Sequence, residues 1–68
     1  MRRMTKLRGK ATRATLGAMS GVHPSRVGGL ENGRIVPPPG SVELQRIADA
    51  LGYEGDPSEL LEEVPSDD

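Results

Sequence analysis

The stretch GVHPSRVGGLENG, from Gly21 to Gly33, decides how this chain folds. Val27 and Leu30 sit at helical spacing, yet Gly28 and Gly29 lie between them, where each costs roughly 1 kcal/mol relative to Ala. The residue before a proline is pushed away from helical dihedrals. His23 therefore suits the non-helical cap position, and Pro24 suits the first helical position, where its missing N–H is no loss. Gly33 suits a left-handed stop. These signals predict a helix from Pro24 to Glu31 or Asn32. Wound with Val27 and Leu30 inward, it turns Ser25, Gly29 and Asn32 outward and leaves Arg26 and Gly28 on the flanks. The competing reading takes the glycines as loop.

Upstream, Thr12 is a good N-cap for a helix from Arg13 to Ser20, with Leu16 and Met19 pointing inward. Gly21 ends that helix, and Val22 is apolar in the turn. A shorter first helix, roughly residues 2 to 8, carries Met4 and Leu7 at i, i+3 and stops near Gly9. Downstream, Pro37, Pro38 and Pro39 favour an extended, semi-rigid loop. Ser41 then caps a fourth helix, where Leu44, Ile47, Ala48 and Leu51 fall at i, i+3, i+4 and i+7, the strongest period in the chain. Gly52 ends it. Asp56-Pro-Ser-Glu59 reads as a capping box opening a fifth helix with Leu60, Leu61 and Val64 apolar. No strand pattern appears. The expectation is an all-α, compact five-helix bundle forming one domain over residues 1–64, with 65–68 as a frayed acidic tail.

Composition narrows the chemistry. The chain has 68 residues, no Cys, no Trp or Phe, one Tyr and one His, and is 34% hydrophobic. So small and thin a core leaves little material for a buried catalytic pocket. Disulfides and thiolate metal sites are excluded, and lone His23 cannot assemble a zinc site. No nucleophile, base and orienting group converge, and no phosphate-binding glycine loop follows a strand. Catalytic residues, metal and cofactor are all expected to be none. Apolar runs fall short of the roughly 20 residues that span a membrane, and no signal peptide is apparent. A cytoplasmic protein is the default.

The net charge of −1 conceals a strong polarity. Met1 to Arg34 holds eight bases and one acid, Glu31, a net of +7; Ile35 to Asp68 holds one base, Arg46, and nine acids, a net of −8. One end is thus suited to a polyanion, unless the clustering is no more than a solvated surface.

The second and third helices are joined by about three residues, a helix-turn-helix spacing. Gly17 falls where the two helices approach closest, and Gly21 permits the positive φ of the turn. A recognition helix in the major groove must bring its backbone near base edges. Gly28 and Gly29 would allow that approach.

Leu16-Gly17, Gly21-Val22, Val27, Leu30-Glu-Asn-Gly33, Leu44-Gln-Arg-Ile-Ala-Asp-Ala-Leu-Gly52 and Pro57-Ser-Glu-Leu-Leu61 together resemble the Cro/C1-type (XRE-like) helix-turn-helix domain of phage repressors and bacterial regulators. The resemblance covers about three quarters of the chain, from Lys10 to Leu61. It implies a lambda-repressor-like fold and binding to double-stranded DNA. By the same resemblance, Arg13 meets a phosphate at the start of the second helix. Pro24, Ser25 and Gly29 occupy base-reading positions, and Asn32 and Arg34 match positions that bind the DNA backbone. Arg26 can grip guanine O6 and N7 bidentately or reach a phosphate. The resemblance pairs Glu31 with a base of the first helix, and Lys6 falls at the matching position. His23 stands where Ser or Thr is usual; its imidazole can cap the helix or touch a phosphate. The Pro-rich loop is longer than usual.

The function expected is a sequence-specific DNA-binding transcriptional regulator at the nucleoid, its helix over about 24–32 reading the major groove, working as a homodimer. The alternative is a helix-turn-helix protein-interaction module, such as an antitoxin or RNA-polymerase-binding factor, whose acidic C-terminal half docks a protein partner.

Overall fold

The computed structural model describes residues 1–65. Four α-helices follow in order: α1 (Arg3–Arg8), α2 (Arg13–Ser20), α3 (Pro24–Asn32) and α4 (Val42–Leu51), and a 3-10 helix (Pro57–Leu61) closes the chain. Among the described residues there is no strand; an isolated antiparallel bridge joins Arg2 to Glu63. No helix among the described residues is long and apolar enough to cross a membrane. The tail expected over 65–68 lies outside the described residues beyond Pro65.

Local chemistry sets the boundaries. The Thr12 hydroxyl accepts from the Thr15 amide, and the Ser41 hydroxyl accepts from the Leu44 amide, each satisfying an amide that the first turn would otherwise orphan. Gly21 ends α2 at φ 75° and Gly33 ends α3 at φ 82°, the left-handed conformation that suits glycine. Met4, Leu16, Val22, Val27, Leu30, Leu44, Ile47, Ala48 and Leu60 form one buried core. α4 is its centre: it packs against α2 on one side and the 3-10 helix on the other, while α3 packs on α2. A buried aliphatic side chain stabilises by about 1.5–3 kcal/mol, so each of these few residues weighs heavily.

Three expectations are corrected. The closing element is a five-residue 3-10 helix, not a fifth α-helix. Its Asp56 carboxylate accepts from the Ser58 amide and hydroxyl, but the Glu59 carboxylate accepts from the Tyr53 hydroxyl instead of completing a capping box. The chain then turns extended at Glu62, because it must reach the N-terminus: the Arg3 amide donates to Glu62 O at 2.8 Å, and the Val64 amide to Met1 O at 2.8 Å. Met19 is 62% exposed rather than inward. The inward face of α2 is Leu16, Gly17 and Ser20; at 3.6 residues per turn Met19 lies about 60° outside that arc. Ser20 takes the inner place because its hydroxyl donates to Leu16 O at 2.7 Å and accepts from the Val22 amide, closing the turn. Leu7 is also half-exposed; Met4 is the residue α1 buries.

Candidate nucleic-acid interface

The turn between α2 and α3 is tight. A Cβ on Gly17 would stand 2.6 Å from Val22 O and 3.2 Å from the Pro24 ring, so any side chain there would wedge the helices apart, as the sequence predicts. The Gly21 amide donates to Gly17 O at 2.8 Å. The His23 cap is made by its imidazole: Nδ1 accepts from the Ser25 amide at 3.1 Å and lies 2.7 Å from the Ser25 hydroxyl. With Nδ1 accepting from the amide, a neutral ring carries its proton on Nε2.

α3 exposes its two ends and hides its middle. Ser25 and Arg26 in the first turn are exposed and Pro24 is half-buried; Asn32 and Arg34 are exposed at the far end. Val27, Gly28, Gly29, Leu30 and Glu31 are all buried. The outward placement of Gly29 is therefore corrected. A Cβ on Gly29 would meet the Ile35 side chain, with Cγ1 at 2.7 Å, and the Ile35 amide donates to Gly29 O at 3.1 Å. The chain leaving α3 folds back over its own helix, and only a bare Cα admits Ile35. Gly28 is covered from the other side by Arg13, whose Nη1 would lie 3.1 Å from a Cβ there. The two glycines thus serve packing within the domain. The sequence offered no signal for this, because Ile35 lies beyond the helix stop.

Glu31 anchors the helix. Its carboxylate is 2% exposed and accepts from Arg8 Nε at 2.7 Å, Arg8 Nη2 at 3.0 Å and Arg13 Nε at 2.9 Å. Burial pushes this carboxyl's pKa up; the hydrogen bonds and charges of the two guanidiniums outweigh it and hold the group below its ordinary value. The partner from α1 is Arg8, not the expected Lys6, whose Nζ donates to Pro65 O at 3.3 Å. Arg8 is drawn in further because its Nη1 also donates to Ala11 O. Arg13, expected at a phosphate, is bound to Glu31 through Nε alone, with its side chain 48% exposed. Both of its terminal nitrogens are left for another acceptor.

Arg26 is also engaged, which the sequence did not reveal. Its Nε and Nη2 donate to Glu43 Oε2 and Oε1 at 2.5 and 2.7 Å, bridging the first turns of α3 and α4. The Arg26 hydrogen bonds lower the Glu43 pKa, and Glu43 raises that of Arg26. The one available signal was Glu43 itself, an acid in the first turn of the neighbouring helix.

The charge polarity is partly cancelled in three dimensions. Arg3 Nη2 lies 3.3 Å from Glu62 Oε1, and the N-terminal ammonium lies 3.5 Å from Glu63 Oε1. The basic N-terminus is thus folded onto the acidic end. Among the described residues, Lys10, Arg34 and Arg46 make no ion pair. The Arg34 amide donates to the Asn32 carboxamide oxygen at 2.9 Å, fixing the turn that carries both side chains.

Two short helices joined by a tight turn, the second exposing its capped first turn, define a helix-turn-helix domain. A family model described as "Helix-turn-helix domain" matches residues 2–61, and the chain belongs to this family. No curated protein and no solved structure gives a significant match.

Proposed function

We propose that this protein binds double-stranded DNA as a Cro/C1-type regulator of transcription, setting the first turn of α3 into the major groove. The observation that carries this reading is that Ser25 and Arg26 stand exposed at the N-terminal end of a helix whose remaining core is locked to α1, α2 and the following loop. A recognition helix contacts base edges with its N-terminal residues. Pro24 and Ser25 offer shape and weak hydrogen bonding; Arg26 offers the strong guanine contact. Arg13 at the start of α2, and Asn32 and Arg34 at the far end of α3, suit phosphate oxygens, which supply most of the affinity and make it salt-dependent. Gly29, covered by Ile35, has no part in base reading.

One recognition turn reads only a few base pairs, so the protein acts as a two-fold dimer on half-sites about 34–36 Å apart. The site of action is the nucleoid in the cytoplasm. The protein-docking alternative draws less support, because Glu62 and Glu63 of the acidic half are engaged by Arg3 and the N-terminal ammonium.

The test is selection of bound duplexes from a randomised pool, with wild type and Arg26→Ala side by side. A recurrent motif that loses a guanine with Arg26→Ala, and binding that falls steeply with salt, are expected. Failure to retain any duplex in dilute buffer would overturn the reading.

A further inference from the structure

We propose that Glu43 of α4 is a specificity-determining positioning residue, holding the Arg26 guanidinium so that its free edge faces a guanine. This rests on the reading of α3 as a DNA-reading helix and deepens it. A guanidinium has five N–H donors in a rigid planar fork. Glu43 takes one edge, Nε and Nη2, with both carboxylate oxygens. The edge formed by Nη1 and the second Nη2 hydrogen is left over, and that edge matches guanine O6 and N7.

The setting favours this use. Arg26 remains 49% exposed while doubly bound, and its Nη1 takes no part in the grip. Glu43 sits in the first turn of α4, behind the Ser41 cap, on the helix that forms the centre of the core. Its backbone is therefore fixed by packing, and its carboxylate reaches Arg26 from that fixed base. A long side chain fixed before binding loses less freedom when it docks. The same device recurs at Arg13, held through Nε by buried Glu31 with both terminal nitrogens left over. The domain thus braces two outward guanidiniums with its own carboxylates, one beside the bases and one beside the backbone.

The experiment compares wild type, Glu43→Gln, Arg26→Ala and the double variant on two duplexes. One is the duplex enriched from the random pool; the other carries adenine in place of the guanine that Arg26→Ala ceases to select. Glu43→Gln is expected to lower discrimination between them about tenfold, the loss of one ordered bidentate contact. Binding to non-cognate duplex should hold or tighten, since an acid near the phosphates is gone. In the Arg26→Ala background, Glu43→Gln should change discrimination no further. Thermal melts verify that every variant is folded. Undiminished discrimination in folded Glu43→Gln would overturn the proposal and leave DNA reading intact. Sharper discrimination in that variant would also overturn it, since Glu43 would then be withholding Arg26 from the base. Wild type that binds neither duplex would remove both the proposal and the function beneath it.

Discussion

Glu31 and Arg8 meet through two parallel hydrogen bonds of 2.7 and 3.0 Å, with the carboxylate almost wholly buried and Arg13 closing on its second oxygen. One acid thereby joins α1, α2 and α3. Removing one partner of a buried ion pair leaves the other charge uncompensated, which costs about 3–5 kcal/mol. Glu31→Gln is expected to destabilise the fold by about 3 kcal/mol, or roughly 12–24 °C in Tm for a domain of this size. Lys6→Ala, at the position the sequence favoured for this pair, should cost no more than about 1 kcal/mol, as surface charges do. Thermal denaturation followed by circular dichroism separates the two; equal effects would refute the assignment of Glu31 to Arg8.

Acid should act through the same group. The Glu31 and Glu43 carboxyls are held below their ordinary value of 4.5 in the folded chain. A depressed folded pKa contributes stability that is fully present above the unfolded value and is lost as pH falls through the folded one. Stability should therefore be level above about pH 5 and decline below pH 4.5, as these carboxylates take up protons. Denaturant midpoints measured across pH 3 to 7 test this. Glu31→Gln should flatten the decline more than Glu43→Gln does, because Glu31 is the buried member.

Gly29 provides a test of packing against propensity. Ala is the better helix former by about 1 kcal/mol, so propensity alone predicts that Gly29→Ala stabilises. The Ile35 side chain occupies the space of that Cβ, and overpacking typically costs 1–3 kcal/mol. Gly29→Ala is expected to destabilise, and Ile35→Ala should relieve part of the loss in the double variant, a coupling that a double-mutant cycle reads directly. Gly28→Ala meets the flexible end of Arg13 instead and should be near neutral.

The His23 cap makes a further prediction. Its Nδ1 satisfies the Ser25 amide at the start of α3. His23→Ala should cost about 1 kcal/mol, and His23→Ser should recover most of it, since a serine oxygen fills the same office. If Ala and Ser were equally destabilised relative to His, the imidazole would be holding α3 by packing and not as a cap.

Most of the helical framework was legible because it is written in local chemistry. Thr12, the His23-Pro24 pair, Ser41 and Gly21, Gly33 and Gly52 each mark an end within a residue or two of themselves. Where the reading failed, a distant partner decided. Met19 yielded its inward place to Ser20 because the turn needed a buried hydroxyl. The closing helix stayed 3-10 because the chain had to reach Arg2 and Arg3 across the fold. At the candidate site, the helical period turned Ser25 and Asn32 outward, where they lie, and Gly29 with them, where it does not; it set Arg26 on the flank without Glu43 and Gly29 without Ile35. Those contacts join residues 17 and 6 positions apart on separate segments. Periodicity within one helix carries no trace of what the next segment lays against it.

The most direct measurement of the central claim is amide chemical-shift mapping of the labelled protein titrated with duplex DNA at low salt. The largest changes are expected at Ser25, Arg26, Asn32 and Arg34 and at the start of α2 around Arg13, all reversed by added salt. Changes confined to α4 and the closing 3-10 helix, or no change with any duplex, would contradict it.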